Sequence, residues 1–315
     1  MKKIIKIIVV IVLLISLFLL YVQISYMRVF TAPAVTGISA QQDSSTIARG
    51  KYLVQGAAHC YTCHMPDSLL EKGLKEPMIG GYVFKTPFAQ FYTPNLTSDT
   101  ETGIGQVTDE QLARAVRYHI KHDGHVMVGF MSYNAMSDED LRAVISYLRT
   151  VPPVKNKVPD HEYNMIGKIL MRFMVEPAKP VVQNVTPDST AEYGKYLAYH
   201  VTNCNGCHTQ RNATGEIIGQ PMAGGNSWDY EDGVYTSPNL TFNDSTGRIT
   251  TWSQQDFIRR FRRGKLFPHT PMPWGAYQSL SERDLSALYK FLKSLTPVHK
   301  EIKETYSPKA QVAGS

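Results

Sequence analysis

An almost unbroken apolar run opens the chain. Ile7 to Val22 is interrupted only by Ser16, which predicts one long helix close to the length of a bilayer span. Beyond it, apolar residues recur at helical intervals in short stretches. Leu141, Val144, Ile145 and Leu148 follow Ser137-Asp138-Glu139-Asp140, a capping-box-like start. Leu285, Leu288, Tyr289 and Leu292 follow Ser281-Glu282-Arg283-Asp284 in the same way. A helix starting near Thr108 places Leu112, Ala115, Val116 and His119 on one face. One starting near Ser253 buries Phe257, Ile258 and Phe261. The stretches between are rich in Gly and Pro and predict loops with little strand character. The expected fold is therefore mostly α.

The elements recur with a fixed offset of 144 residues. Gly50-Lys51-Tyr52-Leu53 returns as Gly194-Lys195-Tyr196-Leu197, Pro94-Asn95-Leu96-Thr97 as Pro238-Asn239-Leu240-Thr241, and Pro153-Val154 as Pro297-Val298. A shared order of elements predicts two tandem homologous domains, 43–154 and 187–300. Residues 155–186 form the linker, punctuated by Pro159, Pro177 and Pro180. Within it Met165, Ile166, Ile169, Leu170, Phe173 and Met174 fall at helical spacing. They predict a short amphipathic helix, packed on a domain or turned to a membrane surface or partner. The tail, 301–315, is polar and expected to be mobile.

Charge changes the picture only at the N-terminus. Lys2, Lys3, Lys6 and Arg28 supply +4 of the formal net charge of +6. The basicity thus belongs to a targeting segment, 1–30, and leaves no nucleic-acid footprint. Ala32-Pro33-Ala34 is a poor cleavage site, so an uncleaved signal-anchor is favoured over a removed signal peptide. Three lysines before the run and one arginine after it orient its start to the cytoplasm. The expectation is a single-pass protein of the cytoplasmic (inner) membrane, its body on the periplasmic or extracytoplasmic side.

All four cysteines lie in two copies of Cys-x-x-Cys-His, Cys60-Tyr61-Thr62-Cys63-His64 and Cys204-Asn205-Gly206-Cys207-His208. The pattern reads as attachment of haem c, with Cys60, Cys63, Cys204 and Cys207 bonding the porphyrins and His64 and His208 ligating iron. Zinc and dithiol chemistry also use Cys-x-x-Cys, but the trailing histidine and absence of spare cysteines argue for two covalent haems. Each domain is then expected to wrap around its haem.

The second axial ligand decides between electron transfer and chemistry at an open iron. In the second domain Met272 is the candidate, on the loop Thr270-Pro271-Met272-Pro273-Trp274; Met222 and His269 are alternatives. In the first domain the offset pairs Met272 with Val128, which cannot ligate. Met131 is the choice there, with Met127, Met136, His119, His122 and His125 left open. A carbonyl near Pro77 and Pro221 is expected to orient each haem histidine. Asn95 and Asn239, with Tyr92 and Tyr235 nearby, suit either haem propionates or turns. Arg259, Arg260, Arg262, Arg263 and Lys265 read as a solvated basic face, or as a propionate or partner contact.

These motifs, with Asp99-Thr100-Glu101-Thr102-Gly103-Ile104-Gly105 and the Met272-Pro273 loop, resemble class I cytochrome c domains. More closely, the chain resembles the cytochrome c subunits of membrane-bound alcohol and sugar dehydrogenases. The resemblance covers both domains and implies His/Met haems relaying electrons. Those subunits often carry three haems where this chain has two motifs, and Met131-Ser132 departs from the family's Met-Pro. The resemblance implies an electron carrier between a dehydrogenase or quinol-side donor and a terminal oxidase or soluble cytochrome. Such a protein is not an enzyme by itself, and its partners are redox proteins. The alternative is a dihaem peroxidase-like enzyme with one reactive haem.

Overall fold

Both middle helices begin where a hydroxyl can cap them. The structure, a computed structural model, describes residues 1–212, 215–267 and 269–309. In chain order, α1 (Lys2–Ser25) is followed by α2 (Ser44–Tyr52), α3 (Asp67–Leu70), β1 (Val83–Lys85) and β2 (Ala89–Tyr92). Next come α4 (Asp109–Tyr118), α5 (Asp138–Leu148), β3 (Glu162–Tyr163) and α6 (Met165–Phe173). The second half holds α7 (Ala191–Tyr196), α8 (Cys204–His208), β4 (Ser227–Asp229), β5 (Gly233–Thr236) and α9 (Gln254–Arg262). It ends with α10 (Trp274–Tyr277), α11 (Glu282–Ser294) and β6 (Tyr306–Pro308). Thr108 caps α4 and Ser253 caps α9, each in a reciprocal capping box with Gln111 or Asp256. The helix α1 is long and apolar enough to cross a membrane, by length and composition.

The chain divides into two compact units that cut across the sequence repeat. One contains Met1–Gln42, Tyr61–Asn134 and Ile145–Val181; the other contains Asp43–Cys60, Ala135–Val144 and Val182–Ser315. Each holds a small antiparallel sheet, β1-β2-β3 in the first and β4-β5-β6 in the second. These sheets correct the expectation of loops with little strand character. Strands of two to four residues are too short to show alternation, so composition hid them. The tail is corrected in part as well. Tyr306–Pro308 pairs with Gly233–Tyr235, and only 310–315, the rest of that expected mobile tail, lie outside the described residues.

Helix faces follow the periodicity at α9, where Phe257, Ile258 and Phe261 are buried. In α4 the buried residues are instead Ala113 and Arg117, and Leu112, Ala115 and Val116 are half-buried. Arg117 donates through Nη1 to the Asn134 carbonyl at 3.1 Å.

In the second unit, residues 144 apart form a reciprocal pair of contacts. The Tyr52 hydroxyl donates to Asp284 Oδ2 at 2.6 Å, and the Tyr196 hydroxyl to Asp140 Oδ2 at 2.7 Å. Arg49 forks onto Asp140 with bonds of 2.8 and 2.9 Å, the strong bidentate geometry. Burial, reinforced by the facing carboxylates, pushes both tyrosines well above the usual phenol range. Such fully paired buried polar groups specify one packing of the helix ends, because any shift strands a carboxylate.

Candidate functional site

Each Cys-x-x-Cys-His segment is launched by the same backbone device. The opening helix α2 widens into a π turn at Leu53–Ala57, and α7 does so at Leu197–Val201. Bonds spanning five residues close each turn, from Ala58 N to Leu53 O and from Thr202 N to Leu197 O, both 2.7 Å. The residue just before the first cysteine is left-handed in each copy, His59 at φ 41° and Asn203 at φ 51°. Asn visits this region readily. In the second unit the His59 ring stands edge-on to Tyr277, centroids 5.4 Å apart. The Tyr277 hydroxyl donates to the Thr202 carbonyl, and Thr202 Oγ1 lies 3.1 Å from Cys204 Sγ. Burial pushes His59 down to about 4.

The two haem-motif histidines share one geometry. His64 Nδ1 lies 3.0 Å from the Pro94 carbonyl, and His208 Nδ1 lies 3.1 Å from that of Pro238. A carbonyl can only accept, so each ring carries its proton on Nδ1 and presents the Nε2 lone pair. Both rings are buried, at 9% and 7% exposure. Burial holds them below the usual imidazole range, partly opposed by the proline carbonyl. A neutral imidazole with its Nδ1–H fixed is the form that ligates a metal through Nε2.

The accepting prolines are Pro94 and Pro238, which corrects the expectation of Pro77 and Pro221. The reason lies in the residue after each accepting proline. Asn95 Nδ2 donates to Val154 O at 2.9 Å and Asn239 Nδ2 to Val298 O at 2.8 Å. Their Oδ1 atoms accept from Thr97 N and Thr241 N at 2.9 and 3.0 Å. Each Pro-Asn-Leu-Thr turn, its Asn and Thr buried, is thus stapled to the segment that leaves α5 or α11, holding its proline carbonyl over the histidine. Asn95 and Asn239 are turn staples, and the nearby Tyr92 and Tyr235 hydroxyls donate to Glu162 and Asp232.

Gly80 and Gly224 complete the cradle. Their N–H groups donate to the His64 and His208 carbonyls at 2.9 and 2.8 Å. Their φ values are 73° and 70°, and a Cβ would come within 2.4 Å of the Thr93 or Ser237 carbonyl. Only glycine fits there. The offset pairing of Gly80-Gly81 with Gly224-Gly225 is the signal that marks them in the sequence.

No disulfide joins the four cysteines. Burial pushes the Cys63 and Cys207 thiols up and Cys204 to about 11. Among the described residues, no group of three His, Cys, Asp or Glu side chains is placed to hold a bare metal ion. The donor set fits a haem, whose porphyrin brings the other iron ligands.

The expected sixth ligands stand on fixed loops ahead of terminal helices. Met272 is half-buried between Pro271 and the α10 cap Pro273, its carbonyl accepting from Trp274 N at 2.8 Å. The guanidinium of Arg260 stacks 3.5 Å from the Trp274 ring centroid, and Arg262 Nη1 donates to Gln278 O at 2.8 Å. This part of the basic run braces the loop, and Arg259 pairs with Asp256. Met131 is half-buried, and its carbonyl accepts from His119 Nε2 at 2.9 Å. Beside it Phe130 stacks on Phe84 with centroids 5.0 Å apart.

The other candidates stand in different settings. His119 spends Nε2 on the Met131 loop. His125 lies 3.2 Å from Asp123, and His269 lies 3.0 Å from Asp232. Met136 and Met222 are fully enclosed in the core. Met127 donates its N–H to the His119 carbonyl at 2.7 Å, and His122 is exposed.

Comparison with known proteins points the same way. The cytochrome c family model matches residues 47–152. The cytochrome c subunit of the alcohol dehydrogenase (quinone) of Gluconobacter oxydans (strain 621H) is 31% identical over 277 residues, 81% of this chain and 56% of that protein. The fructose dehydrogenase cytochrome subunit of Gluconobacter japonicus is 30% identical over 279 residues, 82% of this chain and 54% of that protein. A diheme cytochrome c-type protein of Cereibacter sphaeroides is 28% identical over 198 residues, 59% of this chain and 64% of that protein. The chain spans little more than half the length of the dehydrogenase subunits it matches. Residues 47–152 belong to the cytochrome c family, in a chain that resembles the cytochrome subunits of alcohol and fructose dehydrogenases.

Proposed function

We propose that this chain is a membrane-anchored dihaem cytochrome c that relays electrons between a dehydrogenase or quinol-side donor and a terminal oxidase or soluble cytochrome. Two tandem cytochrome c domains, 43–154 and 187–300, each hold one haem. Cys60 and Cys63 bond the first, with His64 and Met131 as axial ligands. Cys204 and Cys207 bond the second, with His208 and Met272. The helix α1 anchors the body to the inner membrane on its periplasmic or extracytoplasmic side.

The observation that carries this reading is the doubled histidine geometry, Nδ1 to Pro94 at 3.0 Å and to Pro238 at 3.1 Å. When bound, each haem supplies a one-electron couple between ferric and ferrous iron. The protein's part is to fix the ligands so that little rearranges with oxidation state. Pro94 and Pro238 hold the imidazoles, Asn95 and Asn239 hold those prolines, and Met131 and Met272 close the sixth position against other ligands.

The test is the spectrum of the purified ferric protein. Two His/Met haems give low-spin signatures with the weak far-red sulfur-to-iron band, and no peroxide turnover. A stable high-spin haem with peroxide turnover would replace this reading by the peroxidase-like one.

A further inference from the structure

The linker helix α6 has a face that haem binding does not use. Ile166, Ile169, Leu170 and Phe173 recur at i, i+3, i+4 and i+7, one stripe of the helix. The other side is seated: Gly167 and Met171 are buried, and a Cβ on Gly167 would come within 2.3 Å of the Phe88 carbonyl. The two ends of the stripe face out, with Ile166 61% exposed and Phe173 49% exposed, Met174 beyond it is 65% exposed, and Ile169 and Leu170 between them are half-buried.

What covers this stripe is indicated by its neighbour. Phe173 stacks on Phe18 of α1, centroids 6.1 Å apart and planes 12° apart. Phe18 lies inside the apolar run, seven residues before the end of α1, or about 10 Å along the axis. From Ile4 to Phe18 that run is exposed on every side, the pattern of a helix solvated by lipid. Phe173 must share the surroundings of Phe18. Polar contacts gather at the end of α1 instead. Lys168 Nζ donates to Gln23 Oε1 at 2.8 Å and lies 5.3 Å from the Tyr26 ring centroid. Arg172 Nε donates to the Tyr21 hydroxyl at 3.0 Å. Apolar groups at the level of Phe18, with cations and tyrosines at the level of Tyr21 to Tyr26, reproduce the layering of a bilayer interface.

We infer that α6 is a membrane foot, lying in the interface of a bilayer with Ile166 and Phe173 among the acyl chains and Lys168 and Arg172 toward anionic headgroups. The immersion expected of an interfacial helix is ~5–10 Å, which matches the level of Phe18. This rests on the proposal that α1 spans the membrane. The foot would fix how the first unit stands on the membrane, in place of a body swinging freely from a single helix.

The test is site-directed spin labelling of the full-length holoprotein in nanodiscs of phosphatidylcholine and phosphatidylglycerol. With the native cysteines in thioether bonds, a single introduced cysteine is the reactive thiol. Nitroxides are placed at Ile166→Cys, at Leu13→Cys in the anchor and at the exposed Lys157→Cys. Collisions with oxygen and with a polar nickel complex are read by power saturation. The inference expects oxygen to dominate at 166 and 13 and nickel at 157. Nickel dominating at 166 with oxygen dominating at 13 overturns the foot and leaves the anchor standing. Nickel dominating at 13 overturns the anchor and the foot together.

Discussion

Replacing Asn239 with Ala removes the staple that holds Pro238 over His208. The side chain is 1% exposed and joins four backbone or side-chain groups, the Thr241 hydroxyl among them at 2.7 Å. Its Nδ2 reaches Val298 O at 2.8 Å and Thr246 Oγ1 at 3.2 Å. Its Oδ1 accepts from Thr241 N at 3.0 Å. Truncation leaves the Thr241 N–H and part of the demand of Val298 O unmet in the interior. Each stranded buried group costs ~1–3 kcal/mol, so the variant should lose about 3 kcal/mol. The assay is urea unfolding followed by circular dichroism, with the midpoint falling at unchanged slope. A second readout separates haem positioning from general loosening. Loss of a firm carbonyl acceptor makes the His208 imidazole a poorer donor, so one of the two haem potentials should rise while the other stays put. Asn95→Ala should shift the other haem. A loss well under ~1 kcal/mol with both potentials unchanged would refute the reasoning, because a merely decorative asparagine behaves so.

Met272→Ala should abolish one of two far-red methionine bands in the ferric spectrum and leave the second; an unchanged spectrum shows that another group ligates that iron. Tyr196→Phe keeps the ring but removes the donor to Asp140 and the acceptor for Ser137 N, 3.1 Å away. It should cost about 2 kcal/mol in urea unfolding. His59 is pushed down to about 4 from 6.5 when folded, so the unfolded chain binds more protons between those values. Stability from keeping it neutral is therefore complete above pH 6.5 and is lost as pH falls toward about 4. His59→Asn, which places there the residue found at Asn203, should flatten the acid limb of midpoint against pH in that window. An unaltered limb shows that His59 does not titrate there.

The long-period features of the chain were legible because each had a strong local cause. Caps at Thr108, Ser253 and Ser281 need a hydroxyl at one position, and the structure has them there. The helix over Met165–Phe173 followed from spacing alone. The two sheets were not legible, since β3 has two residues and gains its order from pairing with β2, a contact distant in sequence. In α4 the burial of Arg117 was not legible, because a charged residue is enclosed there with its guanidinium bonded to Asn134 O. At the candidate site, an orienting carbonyl for each histidine was foreseen but placed 17 residues too early, at Pro77 and Pro221. Which proline accepts depends on the Asn95 and Asn239 staples, and their partners Val154 and Val298 are 59 residues away. Contacts recur in pairs 144 residues apart, while the compact units differ in bounds from the expected domains, because Asp43–Cys60 and Ala135–Val144 pack with the later half of the chain.

The central claim, two haems covalently held by one chain, is tested most directly by counting. The purified protein is unfolded in acid and extracted with organic solvent, and its intact mass and pyridine haemochrome are measured. The account predicts a chain heavier by two haems with none extracted. A chain carrying one haem, or releasing its haem to the solvent, would contradict it.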